Sequence, residues 1–268
     1  MRPVAVIGNV ALDRVAGRPP RIGGPPFYAA RALRLLNVPA RVVTKSAAAD
    51  RPLVVPRLAA LGVPVAWREA AETAAYSFSY ADSVRTMAVD ALGDPWTPDE
   101  ARDWVAGAVS RAHWLHVGSL YRDEFPAETL AVLARGRRLL FDGQGIVRPS
   151  ATGPLVLGGE PDADVLRHVT VLKLAEEEAE ALLGGTGEAA LRSLGVPEVI
   201  VTFAERGSLI LANGRLERVT AHAIFSDPTG AGDAFAAAYI VSRNAGNPPG
   251  TAARRATALV GSMLAARR

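Results

Sequence analysis

Residues 226–238 read SDPTGAGDAFAAA. Gly230 and Gly232 flank Ala231 and stand directly before an alanine-rich run of high helix propensity. A helix that starts after glycine presents unpaired backbone N–H groups and the positive end of its dipole, an arrangement suited to an anion. Asp233 then falls in the first turn. The dipole alone favours a carboxylate there. That carboxylate would also repel a bound phosphate, unless its task is to take a proton from the group attacking that phosphate. On the residues alone the two readings stand level.

Working outward, the chain alternates short β-branched runs with longer helical ones. Strand-like runs occupy 4–7, 41–44, 63–67, 114–117, 138–142, 169–173 and 199–203, and helix-like stretches 27–36, 53–61, 98–112, 127–134, 176–183 and 188–194. Thr97-Pro98-Asp99-Glu100 is a helix start, with an N-cap Thr, Pro at the first position and Glu three residues on. Continuous apolar strands separated by helices predict an α/β fold, a doubly wound, mostly parallel sheet covered on both faces. Residues 75–90 break the rhythm. Their polar–apolar alternation on either side of Asp82-Ser83 predicts an antiparallel hairpin, which with the Arg-, Pro- and Gly-rich 14–22 would form a small flap.

Composition narrows the function classes. A chain of 268 residues lies between one large domain and two small ones, and 49% apolar residues suffice for a large core. Residues 1–268 are expected to form one α/β domain with a minor flap. The absence of cysteine excludes a disulfide framework, Cys-ligated zinc and a thiolate nucleophile, and is compatible with a cytoplasmic protein. The pI of about 9.6 does not signal nucleic acid. Net charge is only +3, and Lys45 and Lys173 are the sole lysines among 30 basic residues, so arginine, charged far into alkali, sets the pI. Pairs such as Arg137-Arg138, Arg254-Arg255 and Arg267-Arg268 read as solvated helix faces or ends. No apolar span is long enough for a membrane helix, and residues 1–12, interrupted by Gly8 and Asn9, read as a first buried strand and not as a signal peptide.

The segment DPTGAGDAF closely resembles the C-terminal signature of the ribokinase/PfkB-type sugar kinases. That resemblance implies a ribokinase-like fold and phosphoryl transfer from ATP with Mg²⁺, with Asp233 as catalytic base. It places Gly230, Ala231 and Gly232 as backbone donors to the transferred phosphoryl group, and Asp227 on the nucleotide side. Further stretches match in order over roughly 3–265. Gly8-Asn9-Val10-Ala11-Leu12-Asp13 resembles the first strand end, whose Asp binds substrate hydroxyls, and Gly23-Gly24 resembles the paired glycines that approach the sugar. Asp142 through Arg148, DGQGIVR, resembles the mid-chain segment of relatives that act on cyclitols such as myo-inositol, which puts Gln144 and Arg148 toward substrate or phosphate. KLAEEEAE, from Lys173 to Glu180, sets Lys173 beside the nucleotide and Glu178 at the position linked to metal-bound water. Thr202 through Gly207 resembles the turn lining the nucleotide site. Lys45, in VVTKS at a strand end, is a candidate for substrate or phosphate and equally a solvated lysine.

Departures from the family pattern leave the catalytic segment intact and alter the substrate side. Ala11 and Tyr28 stand where the family has Asn, Ala175 replaces the Asn of the N-x-x-E stretch, and Ala204 replaces a glycine. The resemblance therefore implies a kinase acting on a hydroxyl of a small sugar or, preferentially, a myo-inositol-like polyol. A nucleoside kinase is the alternative, with Phe27, Tyr28 and Tyr76 as a stacking surface. A non-catalytic nucleotide or sugar sensor is an alternative of another class. A monovalent cation is compatible with the family, dimerisation stays open, and neither nucleic acid nor membrane is an expected partner. Four signals are set aside. Gly184-Gly185-Thr186-Gly187 follows a helix and reads as its stop; no P-loop or nucleophile-elbow sequence occurs; and His113, His116, His168 and His222 lack metal-ligand spacing and read as packed or surface histidines.

Overall fold

The computed structural model describes residues 2–81, 84–222 and 227–266. The turn expected at Asp82-Ser83, Ser226 at the start of the signature, and Arg267-Arg268 lie outside the described residues.

Fourteen strands are described: β1 (Val4–Ile7), β2 (Ala11–Val15), β3 (Arg21–Gly23), β4 (Ala40–Ala47), β5 (Val65–Ala70), β6 (Ala74–Ala81), β7 (Val84–Ala91), β8 (Trp114–Val117), β9 (Arg138–Asp142), β10 (Gly153–Pro154), β11 (Val171–Ala175), β12 (Glu198–Thr202), β13 (Ser208–Ala212) and β14 (Arg215–Val219). Among the described residues nine of them form the main sheet, in the order β14-β13-β12-β11-β9-β8-β1-β4-β5. Every pairing from β12 through β5 is parallel, and the β12-β13-β14 edge is antiparallel. The uninterrupted apolar runs need cover on both faces, and they have it. Leu139 and Phe141 of β9 enter one core layer with Leu115, Val117 and Leu172, whereas Leu140 enters the other with Trp114, Val171 and Ile200.

The same period of two sorts the polar residues. His116, Asp142 and Lys173 share parity with Trp114, Leu140 and Val171, so all three face the second layer. Helix Ala231–Asn244 covers that face, buried from Asp233 through Ser242, and packs against helices Pro25–Leu36 and Pro249–Ala265. Its alanines leave room for this close approach. Strand order reverses between β1 and β8, and a crevice at such a switch point, outside the carboxyl ends of the strands, is where doubly wound folds bind ligands.

The flap is a second sheet, ordered β10-β7-β6-β2-β3 among the described residues. The expected hairpin is β6-β7, and β2 joins it in parallel while pairing antiparallel with β3. Thr97 caps its helix reciprocally with Glu100, but helical structure ends at Ala108 with a widened turn at Ala101–Val105, short of residue 112. Gly184 ends helix Glu176–Leu183 in the left-handed conformation, as the stop reading expects. The β13-β14 hairpin is not anticipated above, although Asn213-Gly214, with φ of 50° and 72°, is a strong two-residue hairpin signal.

Candidate active site

One cavity of about 1250 Å³ runs along the switch point. Asp13, Tyr28, Tyr76, Leu120, Gln144 and Arg148 line one end; Thr202, Gly207, His222, Thr257, Gly261 and Ser262 line the other. Lys173, Glu178 and residues 228–233 lie between. The sequence-predicted groups among them thus converge from strands β2, β6, β11 and β12 and from four helices.

Gly230 caps helix Ala231–Asn244 in a left-handed conformation, φ 77°, and a Cβ there would lie 2.2 Å from the Tyr28 ring. Both facts demand glycine. Ala231 N–H is already bonded to Pro228 O at 2.9 Å, and the first intrahelical bond runs from Ala234 N–H to Gly230 O. Ala231 thus spends its N–H inside the turn, while Gly232 and Asp233 stand in the first helical turn, where backbone N–H groups have no intrahelical partner. A Cβ on Gly232 would lie 2.8 Å from Lys173 Nζ, so the ammonium sits directly under the loop. Asp227 does not line the cavity. Its Oδ1 accepts from Thr229 N–H and Oγ1, which shapes the loop.

Asp233 is buried, with Oδ1 lacking a hydrogen-bond partner. Burial, and next the charge of Asp142, push its carboxyl up to about 6, against the pull of His116, Lys173 and Arg148. Asp142, fully buried, goes the other way. Burial opposes its charge, but His116 and Lys173 outweigh that and hold it below the ordinary carboxylate range. His116 Nε2 lies 2.6 Å from Asp142 Oδ2, and Lys173 Nζ lies 3.5 Å from Oδ1. Burial also opposes the charge of Lys173, yet Asp142, Glu178 and Asp233 raise it, so it is a fixed cation.

Lys173 therefore lines the cavity beneath Gly232 and beside Asp142. Neither Asp142 nor His116 was singled out above as a site residue. Strand parity was the available signal: the two share a sheet face with Lys173.

On the acceptor side, Tyr28 Oη donates to Asp13 Oδ2 at 3.1 Å, and burial followed by the Asp13 charge raises the phenol far above its usual range, so it stays protonated. Gly23 does not line the cavity. It lets Asp13 lie against the backbone, 2.4 Å from where a Cβ would be. The Arg148 guanidinium sits 5.9 Å from the Tyr76 ring centroid, with Nε buried and unpartnered.

Lys45 is a correction. It is neither at the cavity nor solvated: 3% exposed, it bonds Pro95 O at 2.8 Å and Glu100 and lies over the Trp96 ring. β4 lies across β1 from β11, which carries Lys45 away from the site. Phe27 is likewise absent from the lining.

Glu178, 5% exposed, accepts from Ala175 N–H at 2.8 Å and lines the cavity with Lys173. Ala175 has no side chain with which to cap that helix. Ala204 holds φ 48°, which explains why glycine is the usual residue there. One buried carboxylate beside an anion loop fits Mg²⁺, which is commonly held by one or two carboxylates, waters and substrate phosphates.

A doubly wound fold with a buried carboxylate at a helix N-terminus, beside an anion loop and a polar acceptor end, defines a phosphotransferase acting on hydroxyl groups. The model of the pfkB family carbohydrate kinases matches residues 72–266, and the chain belongs to that family. Solved structures agree in fold. A pyrophosphate-dependent kinase in the ribokinase family, complexed with a pyrophosphate analog and myo-inositol, is similar at TM-score 0.82 and 24% identity, with 97% of this chain and 94% of that one covered. Ribokinase from Thermotoga maritima matches at 0.74 and 19% identity, over 98% and 93% of the two chains. A nucleoside kinase from Burkholderia thailandensis, complexed with inosine, matches at 0.73 and 20%, over 98% and 90%.

Proposed function

We propose that the protein transfers the terminal phosphoryl group of ATP to a hydroxyl of a small cyclic polyol, with myo-inositol or a close analogue favoured. The observation that carries this is Asp233: a buried carboxylate held partly basic, in one cavity with the glycine loop at 230–232 and a polar end lined by Asp13, Gln144 and Arg148. The acceptor hydroxyl attacks the terminal phosphorus in line, its proton passes to the Asp233 carboxylate, and the bond to the leaving phosphate oxygen breaks. Gly232 and Asp233 N–H groups and the Lys173 ammonium face the developing charge. Mg²⁺, when bound, neutralises phosphate oxygens there, and Glu178 would hold it through water.

The acceptor end supports a ring with hydroxyls around its edge. Asp13, Gln144 and Arg148 supply polar contacts, while Tyr28, Tyr76, Phe78 and Leu120 supply apolar walls. The donor end supports a nucleotide: beyond the phosphate region it continues between Ala204, Val219, Thr220 and the small residues Ala258, Gly261 and Ser262. Pyrophosphate is the second reading, favoured by the likeness to a pyrophosphate-dependent relative and by the fixed cation Lys173 at the phosphate end.

Coupled assays with ATP or pyrophosphate against myo-inositol, pentoses, hexoses and nucleosides test both halves. Turnover of myo-inositol with ATP is expected. Phosphorylation of nucleosides alone refutes the acceptor, and activity with pyrophosphate alone refutes the donor. Asp233→Asn should keep fold and donor binding while losing about 10²–10⁴ in turnover, the usual range for a positioned base. Near-normal turnover in that variant would overturn the mechanism.

A further inference from the structure

Asp142 and Asp233 arrive from opposite sides, one at the end of β9 and the other from the covering helix, and both are buried. One atom each of His116, Asp142 and Asp233 lies within 4.8 Å of the others. Two carboxylates so placed resist ionising together, and their surroundings decide which keeps the proton. Those surroundings are unequal. Asp142 receives His116 at 2.6 Å and faces Lys173 at 3.5 Å, whereas Asp233 Oδ1 has no partner. The groups facing Asp233 are His116 from β8, Asp142 from β9, Lys173 from β11, Arg148 after helix Gln144–Val147, and Tyr28 of helix Pro25–Leu36.

His116 is completely buried and absent from the cavity lining, so it cannot touch substrate or donor. Its Nδ1 is buried without a partner. Nε2 is therefore the ring nitrogen that meets Asp142, 2.6 Å from its Oδ2.

We infer that His116 is a positioning residue for Asp233, acting through Asp142: its hydrogen bond keeps Asp142 the ionised member of the pair and so leaves the titrating proton on Asp233. The inference rests on Asp233 being the base. Without the His116 donor, Asp142 competes for that proton and the two carboxylates share it.

The test is the pH profile of turnover between pH 4.5 and 9 for the parental enzyme and for His116→Leu, His116→Asn and His116→Gln, using whichever donor and polyol the parental enzyme accepts. Leu carries no donor, and the shorter Asn amide does not reach Asp142. In both, the acid limb should move by about one pH unit, with donor KM unchanged. Gln, whose amide reaches the Nε2 position, should restore the parental limb. An unmoved acid limb in a folded Leu or Asn variant overturns the inference, as does an equal displacement in Gln. If neither Leu nor Asn folds, Asp142→Asn decides, since it must move the limb down and an unmoved limb refutes the route. Failure of the underlying reading looks different: Asp233→Asn would then turn over normally, whatever the His116 variants do.

Discussion

Substituting Gly230 by alanine strikes two sites with one methyl group. The backbone holds φ 77°, which costs a residue bearing Cβ about 1–2 kcal/mol. The methyl carbon would also stand 2.2 Å from Cγ and Cδ1 of Tyr28, so the ring must move. Moving it breaks the 3.1 Å bond from Tyr28 Oη to Asp13, and a bond to a charged group contributes about 1.5–3 kcal/mol. Together these make about 2.5–5 kcal/mol, or roughly 5–20 °C in Tm at about 2–4 °C per kcal/mol for a chain near this size. A double-mutant cycle with Tyr28→Ala, read by chemical denaturation, separates the parts. In the Tyr28→Ala background, where only the residue-28 Cβ at 2.8 Å still opposes the methyl, the cost of Gly230→Ala should fall toward the backbone contribution of about 1–2 kcal/mol. Additivity within about 0.5 kcal/mol would refute the claim that the ring and the loop constrain each other.

The remaining predictions concern buried charge and the acceptor end. Glu124 is fully buried, and burial outweighs its bonds from Leu120 N–H and the Ser119 hydroxyl, raising its carboxyl to about 7. The native state therefore binds a proton that the unfolded chain releases near its ordinary value of 4.5, so stability falls as pH rises through that window. Glu124→Gln should flatten this fall, giving a melting temperature above the parental one at pH 8 but not at pH 4; parallel pH–melting curves would count against it. Lys173→Met leaves Asp142 buried without its cation and should cost about 3–5 kcal/mol in denaturant unfolding, most of it regained in Lys173→Met/Asp142→Asn. Tyr28→Asn frees Asp13 from its phenol partner and should broaden the acceptor range toward pentoses, seen as a lower KM for ribose relative to myo-inositol; an unchanged ratio would remove Tyr28 from selectivity.

Much of the fold could be read along the chain because its signals are local. The apolar runs at 4–7, 114–117 and 138–142 became β1, β8 and β9 with unchanged bounds, since an uninterrupted run of β-formers needs cover on both faces. The Thr97 cap and the Gly184 stop are likewise contained within a few residues. The β13-β14 hairpin was equally local, and Asn213-Gly214 marked it. Pairing across distance was not legible: the parallel addition of β2 to β6 joins residues about 60 positions apart.

The signature at 227–235 determined by itself where the anion loop and the candidate base would be, because glycine, helix start and carboxylate are set by neighbouring residues. Tertiary structure decided the rest of the site. It took Lys45 away to Glu100 and Trp96 and brought Lys173 beneath Gly232, although both are lysines on buried strands. It also set His116 and Asp142 behind Asp233, where strand parity and the covering helix, not sequence spacing, fix the distances. The physical reason is range. Backbone conformation answers to the nearest few residues, whereas the protonation of a buried carboxylate answers to every charge within a few ångströms, and only the folded chain selects which those are.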